Sequence, residues 1–430
     1  MPKSKLQTMY VCSECGNESS IWEGQCRVCR NWNTFEEIKI NHNIKLADTQ
    51  NYKVKKLTDI KPEQLERIST QISELDRTLG SGLVQGQVIL LGGNPGIGKS
   101  TLILQMAANY KGKVLYVSGE ESESQIALRA KRLNINSENI DLLSTGNMNA
   151  ALSSFKHDLL IIDSIQTVAL QELPSSPGSV TQIRECTYKI LELAKTSNIP
   201  AVLIGHITKE GSIAGPKILE HMVDTVLYLE GDKNNIHRLL RVYKNRFGDD
   251  AEVGIFKMET SGMIGIDNPA NAFIDSESLN KPGSAVAITM EGSRPIAVEV
   301  QALTTKTSFG YPKRASSGFS VNRLQLLCAV LQKIGGINLV DQDVYVNISS
   351  GLNVKEPGID LAVCAAIISS YREKKFPHDT SFFGEVGLTG EVRAVVAQDR
   401  RGKESKIQGF KKSLSSSSIN NIREIHNYLV

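Results

Sequence analysis

The stretch that decides the fold is Gly93-Asn94-Pro95-Gly96-Ile97-Gly98-Lys99-Ser100-Thr101. Residues 87–92, which precede it, read Gln-Val-Ile-Leu-Leu-Gly and predict a short buried strand of a parallel sheet, and residues 102–110 predict a helix. Glycines at these spacings let backbone N–H groups close around phosphate oxygens, and the N-terminus of the following helix favours negative charge. The stretch therefore predicts a nucleotide-binding P-loop in an α/β fold.

Three side chains around this loop are predicted to serve ATP and Mg²⁺. Lys99 is expected to reach the β- and γ-phosphates, and the Ser100 hydroxyl is expected to ligate Mg²⁺. Asp163 ends a second buried strand, residues 159–162, at the edge of the sheet where ligands bind. We therefore expect Asp163 to contact a Mg²⁺-bound water.

Two further strands end in polar side chains that suit hydrolysis. Glu120 and Glu121 follow the strand predicted at 114–119, and either carboxylate could orient the attacking water, Glu120 being favoured. The alternative is that both only start a helix and stabilise its dipole. His206 follows the strand at 201–205 and is expected to face the γ-phosphate, although a buried core histidine remains the alternative.

Composition sets the broad class. The 430 residues allow two to four domains, and 40% hydrophobic residues predict folded cores. Because 49 basic and 46 acidic residues leave a net charge of +3, a histone-like polycation is excluded, whereas a local basic patch is not. No apolar run reaches about 18 residues, and the N-terminus lacks a signal-peptide core, so we expect a cytoplasmic protein with no membrane span.

The cysteines fall into two groups. Two Cys-x-x-Cys pairs near the N-terminus supply four candidate zinc ligands: Cys12, Cys15, Cys26 and Cys29. Two such turns can close a tetrahedral thiolate shell, so the pattern predicts structural Zn²⁺. The other three cysteines stand alone in apolar surroundings and are predicted to be core thiols: Cys186, Cys328 and Cys364.

The whole chain resembles the bacterial RadA (Sms) family. The resemblance rests on the order of the motifs above, on Lys244-Asn245-Arg246-Phe247-Gly248, and on residues 211–232. It implies an α/β RecA-like P-loop ATPase core with a parallel central sheet, a small zinc ribbon before it and an α+β Lon-protease-like domain after it. The implied domains are a zinc finger at 1–35, a linker at 36–60, the ATPase with the Lys-Asn-Arg-Phe-Gly motif at 61–268, and the Lon-like domain at 269–430.

The same resemblance implies a DNA-dependent ATPase and helicase in DNA repair and homologous recombination. Such a protein promotes branch migration, acts as a homohexamer, and has single-stranded and branched DNA, the recombinase RecA and other recombination or replication proteins as partners. Lys244 and Arg246 are expected to face either a neighbour's ATP or DNA, a choice that the sequence leaves open. The alternative function is an ATP-switched regulatory assembly of the KaiC kind, without DNA motor activity.

Proteolysis is not expected of the Lon-like domain. Lon carries its serine nucleophile in a Gly-Pro-Ser-Ala-Gly stretch, where this chain reads Glu356-Pro357-Gly358-Ile359-Asp360-Leu361. Near the position of the lysine base it reads Ala397-Gln398-Asp399-Arg400-Arg401. Because both the nucleophile and the base are missing, the Ser-Lys mechanism has no means to act.

Basic residues mark candidate DNA contacts. Residues 300–340 contain no acidic residue, and their cations, interleaved with aromatics, suit a phosphate backbone and its bases. The alternative is a solvated charged face with aromatic side chains in the core. A Gly-rich basic loop at 208–217 and a Ser/Pro-rich loop at 173–180 are further candidates, with solvated connectors as the alternative. The candidate DNA-binding residues are Lys209, Lys217, Lys244, Arg246, Lys306, Lys313 and Arg314.

Overall fold

The computed structural model describes residues 7–12, 18–28, 30–40, 66–136, 138–153, 155–206, 218–231, 236–275, 277–308 and 310–430. Four predicted site residues lie outside these ranges: Cys15, Cys29, Lys209 and Lys217. The chain divides into a first unit, Met1–Asp250 with Phe256–Gly265, and a second unit, Ala251–Ile255 with Ile266–Val430. The expected domain limits remain a prediction.

The strands are β1 (Gln7–Cys12), β2 (Glu18–Ser19), β3 (Phe35–Ile40), β4 (Arg67–Ile68), β5 (Leu83–Val84), β6 (Val88–Gly93), β7 (Val114–Ser118), β8 (Ile140–Ser144), β9 (Leu159–Asp163), β10 (Ala201–Ile204), β11 (Thr225–Glu230), β12 (His237–Asn245), β13 (Val253–Glu259), β14 (Gly262–Gly265), β15 (Ser284–Glu291), β16 (Arg294–Lys306), β17 (Arg314–Ser317), β18 (Gln342–Ile348), β19 (Thr380–Phe382), β20 (Glu385–Val386), β21 (Val392–Arg393) and β22 (Lys412–Leu414).

The α-helices are α1 (Ser73–Leu79), α2 (Lys99–Asn109), α3 (Glu123–Arg132), α4 (Met148–Ser153), α5 (Val180–Ser197), α6 (Ile218–Met222), α7 (Ala270–Phe273), α8 (Val321–Lys333), α9 (Asp360–Arg372) and α10 (Gln398–Ile407). Among the described helices, none combines the length and the hydrophobicity that crossing a bilayer requires.

A nine-stranded sheet forms the centre of the first unit. Its order is β14-β13-β12-β11-β6-β10-β9-β7-β8, and the six strands from β11 to β8 are parallel. Alternate residues of β6 enter two different cores: Ile89 and Leu91 pack in the cluster that contains residues of α2, and Leu90 packs with residues of α5. The sheet is therefore buried on both faces, which explains the continuous apolar runs in its strands. This confirms the expected α/β fold with a parallel central sheet.

The parallel order places one set of strand ends together. Leu91 of β6 pairs with Ile204 of β10, Ile204 pairs with Asp163 of β9, and Asp163 pairs with Ser118 of β7. The chain segments that leave these strands therefore start side by side at the carboxyl edge of the sheet.

The other sheets of the described residues are smaller, and two of them, β4-β5 and β20-β21, have only two strands. Residues 7–40 contribute a three-stranded antiparallel sheet of order β2-β1-β3, in which Cys12 pairs with Phe35. The second unit contains a mixed six-stranded sheet of order β17-β18-β16-β15-β19-β22. The helix α9, whose residues from Asp360 to Ser369 are buried, belongs to the same unit.

Candidate functional site

The P-loop connects β6 to α2. Gly93, Gly96 and Gly98 have φ angles of 155°, 76° and 117°, values that L-residues with a Cβ rarely adopt. At Gly98 a Cβ would also lie 2.5 Å from the methyl carbons of Met258 and Met263, so the site requires glycine. The first turn of α2 has N–H groups without intrahelical acceptors, and the glycines expose the backbone beside them, as phosphate binding requires.

Lys99 turns its ammonium group back over this loop. Its Nζ donates to the carbonyls of Gly93 at 2.7 Å and Asn94 at 3.1 Å, and it lies 3.2 Å from Nδ1 of His206. Burial lowers the pKa of Lys99 to about 8, against the opposing effect of the carboxylates of Asp163 and Glu120. A partly desolvated cation therefore stands at the strand edge, close to two acidic residues.

The paired glutamates have different surroundings. Oε1 of Glu120 accepts the Ser164 hydroxyl at 2.7 Å and lies 3.2 Å from Nε2 of His206. Glu121 instead forms an ion pair with Arg129 of α3. The structure thus places Glu120, and not Glu121, in contact with the group that contains Lys99.

His206 bridges the P-loop lysine and Glu120. Because the Lys99 ammonium can only donate, Nδ1 accepts, and Nε2 then carries the proton that it donates to Glu120. This side chain is 31% exposed, so it does not match the alternative of a buried core histidine. Lys99, His206, Glu120 and Ser164 form one continuous chain of hydrogen bonds.

Asp163 is held by a neighbouring strand. The Tyr116 hydroxyl of β7 donates to Oδ2 of Asp163 at 2.6 Å. Burial, and then the Asp163 charge, raise the pKa of Tyr116 well above its usual value, so this phenol stays protonated and donates. The oxygens of Asp163 and Ser100 are hard donors of the kind that Mg²⁺ prefers.

Four residues that contact the predicted site residues or the P-loop were not predicted from the sequence: Tyr116, Arg129, Ser164 and Arg238. Ser164 directly follows Asp163, a position that motif reading could have examined. Arg238 is buried and donates from Nε to the P-loop carbonyl of Ile97 at 3.2 Å, 141 residues away in sequence. No local pattern connects two residues at that separation.

The Lys-Asn-Arg-Phe-Gly motif lies at the opposite edge of the sheet. Lys244 pairs with Val226 of β11, and Arg246 N–H donates to the Asp224 carbonyl, beside Val88 at the start of β6. Since β6 rises by about 3.3 Å per residue, the start of this strand is about 16 Å from the P-loop end. Within one chain, the structure does not bring Lys244 and Arg246 to the nucleotide site.

Lys244 binds the end of a helix. Its Nζ donates to the carbonyls of Glu220 at 2.8 Å, His221 at 3.1 Å and Val223 at 2.7 Å, where α6 ends. Burial, and then the charge of Arg246, lower the pKa of Lys244. Its ammonium group is thus committed to backbone carbonyls.

Arg246 is more accessible. Its side chain is 56% exposed, and Nη1 lies 3.3 Å from Oδ1 of the buried Asp224. The other oxygen of Asp224 accepts from Val88 N–H and from Lys195 Nζ, each at 3.0 Å. Asp224 therefore links the arginine to the strand that leads into the P-loop.

The candidate zinc segment brings its described cysteines together. Cys12 at the end of β1 and Cys26 in the following turn are both fully buried and share one cluster with Phe35. The chain folds tightly at the second pair, where Arg30 N–H donates to the Cys26 carbonyl at 2.8 Å. Among the described residues, this cluster holds two buried thiols beside Phe35 and Tyr10, which fits a metal-stabilised segment better than an apolar core.

Comparisons with known proteins agree with this geometry. Residues 68–141 match a family model for ATPases described as KaiC, and residues 10–37 match one described as a rubredoxin metal binding domain. The DNA repair protein RadA of Aquifex aeolicus is 50% identical over 421 residues, which cover 96% of this chain and 94% of that protein. The chain belongs to the RadA family.

Other matches to the RadA family are similar in extent. RadA of Bacillus subtilis is 44% identical over 428 residues, covering 96% of this chain and 93% of that protein. Among solved structures, a KaiC-like protein from Pyrococcus horikoshii covers 47% of this chain and 99% of its own, with 20% identity and a TM-score of 0.40. The matched families confirm the predicted RecA-like ATPase and zinc ribbon, and they imply ATP, Mg²⁺ and Zn²⁺ as cofactors.

In this RadA family member, the basic residues of the second unit differ in how exposed they are and in how far the protein itself occupies their hydrogen-bond donors. Lys306 and Lys313 are exposed. Arg314 instead donates to the carbonyls of Lys313 at 3.0 Å and Leu339 at 2.9 Å, and also to that of Gln342. Residues 300–340 contain no acidic residue, but the fold brings one next to them: Asp343 of β18 accepts from Lys313 N–H at 2.7 Å.

An ion pair occupies the region where the Lon resemblance expects serine and lysine. Arg401 of α10 is buried and forms two bonds with Glu356, Nη1 to Oε1 and Nη2 to Oε2, each at 2.7 Å. Nη1 also donates to the Ile288 carbonyl at 2.7 Å. A carboxylate and a guanidinium, each neutralised by the other, provide neither an activated hydroxyl nor a free base.

Proposed function

We propose that this chain is a DNA-dependent ATPase and helicase that acts in DNA repair and homologous recombination. It promotes branch migration of recombination intermediates on single-stranded DNA. The observation that carries the proposal is the series of hydrogen bonds from Lys99 through His206 to Glu120. The 50% identity to a DNA repair protein RadA supports the DNA-related part of the proposal. RecA and other recombination or replication proteins are the proposed partners.

Each of these side chains has a proposed role in ATP hydrolysis. The P-loop residues 93–101 bind the phosphates, Lys99 replaces its carbonyl bonds with bonds to phosphate oxygens, and Ser100 and Asp163 hold the metal. Mg²⁺ held by Ser100 and Asp163 would supply positive charge that offsets the charge of the phosphates. Glu120 orients the attacking water. Glu121 has no proposed part in this step, because its carboxylate is paired with Arg129.

His206 couples the nucleotide to the chain that follows it. When Lys99 moves towards phosphate, Nδ1 of His206 loses the Lys99 donor, and the Nε2 bond to Glu120 is the contact that remains to hold the ring. Residues 207–217, which contain Lys209 and Lys217, follow this histidine directly and are proposed to contact DNA. The position of the histidine ring thereby depends on whether the γ-phosphate is bound, and the proposed DNA-binding segment follows that histidine in the chain.

Arg246 acts on the ATP of a neighbouring subunit in a homohexamer. Its position at the sheet edge opposite its own P-loop supports this role, since a cation there can stabilise transition-state charge only in another chain. Its side chain is 56% exposed, and its contact with the buried Asp224 uses Nη1 at 3.3 Å. Lys244 supports the same edge by fixing the end of α6.

The second unit contributes DNA contacts and ring assembly, not proteolysis. Lys306 and Lys313 are the proposed phosphate-binding side chains there, because both are exposed. Arg314 supports them indirectly by holding the backbone of Lys313.

The test is steady-state ATP hydrolysis with and without single-stranded DNA, beside Lys99→Ala. Stimulation by DNA that disappears in the variant supports the proposal. A Lys99-dependent rate that DNA does not change would favour the second candidate, a KaiC-like ATP switch, which the KaiC family match at residues 68–141 also allows. No Lys99-dependent hydrolysis in either condition would contradict both.

A further inference from the structure

Ser164 contacts the carboxylate of Glu120 but has no role in ATP hydrolysis as proposed above. It is the first residue after β9 and is completely buried. Its Oγ lies 2.7 Å from Oε1 of Glu120, to which it donates, whereas Glu120 itself is 44% exposed at the strand edge. A buried donor thus fixes one end of an otherwise accessible carboxylate.

The turn that carries Ser164 is fastened to the turn that carries Glu120. Gly119 N–H donates to the Asp163 carbonyl at 2.9 Å, and a Cβ on Gly119 would lie 2.2 Å from Oγ1 of Thr167. The same Thr167 hydroxyl donates to the Ser164 carbonyl at 2.8 Å and accepts from Ser164 N–H at 3.3 Å. Glycine at 119 therefore permits a close approach that sets the distance between the serine and the glutamate.

The bonding of Glu120 is asymmetric. Both Ser164 and His206 contact Oε1, and neither of these bonds uses Oε2. An anchored Oε1 fixes the plane of the carboxylate and so fixes the direction in which Oε2 can accept from water. Without the serine, rotation of the glutamate side chain would be limited on this side by the histidine alone, at 3.2 Å.

We propose that Ser164 is the positioning residue for Glu120: its buried hydroxyl orients the carboxylate so that Oε2 aligns the attacking water. This rests on the proposed function, in which Glu120 orients that water. Ser164 acts through Glu120, and its hydroxyl has no step of its own in hydrolysis.

The first measurement is the kinetics of Ser164→Ala in the full chain. Loss of a hydrogen bond to a charged group should lower kcat about tenfold or more. The affinity for a fluorescent ATP analogue and the KM for ATP should change less than about twofold, because ground-state binding uses the P-loop. Ser164→Cys, with a weaker donor of similar shape, should give an intermediate kcat.

Ser381→Ala is the matched control. Ser381 is also completely buried and shares a hydroxyl hydrogen bond, with Ser405 at 2.7 Å, but it belongs to the second unit. A comparable loss of kcat in this control would show that any buried serine deletion slows the enzyme, and would overturn the assignment.

A double-mutant comparison separates positioning from general structure. In a Glu120→Ala background, Ser164→Ala should have no further effect on single-turnover hydrolysis, because the acceptor is already gone. An equal tenfold loss in both backgrounds would refute positioning through Glu120. Full activity of Glu120→Ala alone would refute the proposed role of Glu120, whereas full activity of Ser164→Ala beside an inactive Glu120→Ala would refute only the inference about Ser164.

Discussion

Replacing Arg401 with alanine should destabilise the second unit strongly. The guanidinium forms two bonds with Glu356, one with the Ile288 carbonyl of β15 and one, from Nε at 3.0 Å, with the Val396 carbonyl. It therefore ties the turn before α9 to α10 and to the central strand of this unit. The alanine variant leaves the Glu356 carboxylate without its paired cation and removes the guanidinium donor from the Ile288 carbonyl.

The magnitude follows from burial. Removing one partner of a buried ion pair costs about 3–5 kcal/mol. The Glu356 side chain is 23% exposed and can recruit water. We therefore expect Arg401→Ala to lower the free energy of unfolding by about 3 kcal/mol, at the lower end of this range. Replacing both residues, as in Glu356→Gln with Arg401→Met, should cost less than Arg401→Ala because no unpaired charge remains.

Native-state hydrogen exchange of the full chain measures this effect locally. At about 1.4 kcal/mol per tenfold change, amides of α9 should exchange about 100-fold faster in Arg401→Ala. The matched control is Arg400→Ala, which removes the adjacent but exposed arginine of the same helix and should leave exchange nearly unchanged. Equal exchange rates in wild type and Arg401→Ala would refute the reasoning.

Three further predictions concern pH, zinc and subunit contacts. Burial raises the pKa of Glu356, but the bonds and charge of Arg401, with Thr289 and Met290, outweigh it and leave the pKa below its usual 4.5. A lowered native pKa stabilises the fold above the unfolded pKa, so the stability difference between wild type and Arg401→Ala in urea titrations should shrink as pH falls below about 4.5 and should not grow. Wild type should carry about one zinc per chain by elemental analysis. Cys12→Ser and Cys26→Ser should lose it and the core variant Cys186→Ser should keep it; a zinc-replete Cys26→Ser would contradict the site. Lys99→Ala and Arg246→Ala should each be inactive but should recover part of the ATPase rate when mixed, because some interfaces then combine an intact P-loop with an intact arginine; no recovery would argue against action between subunits.

Local motifs made the nucleotide site largely predictable. The P-loop, Asp163, Glu120 and His206 each lie at the carboxyl end of a parallel strand or within two residues of it, so parallel pairing brings them to one edge of the sheet. The choice between Glu120 and Glu121 depends on Arg129 of α3, which forms an ion pair with Glu121, a contact that the order of residues does not reveal.

Long-range partners were not predictable from one sequence. Arg238 meets the P-loop and Arg401 meets Glu356 only after separate elements pack together. Charge counts along the chain also do not show that the Arg314 guanidinium donates to backbone carbonyls, because the sequence does not reveal which cations the fold uses internally.

Branch migration assays test the proposal that ATP hydrolysis at this P-loop drives movement on DNA. A labelled three-strand recombination intermediate is incubated with wild type or Lys99→Ala, and with ATP or a slowly hydrolysed analogue. Strand extension is expected only with wild type and ATP. Equal extension by Lys99→Ala, or none by a wild type that hydrolyses ATP in the presence of DNA, would contradict it.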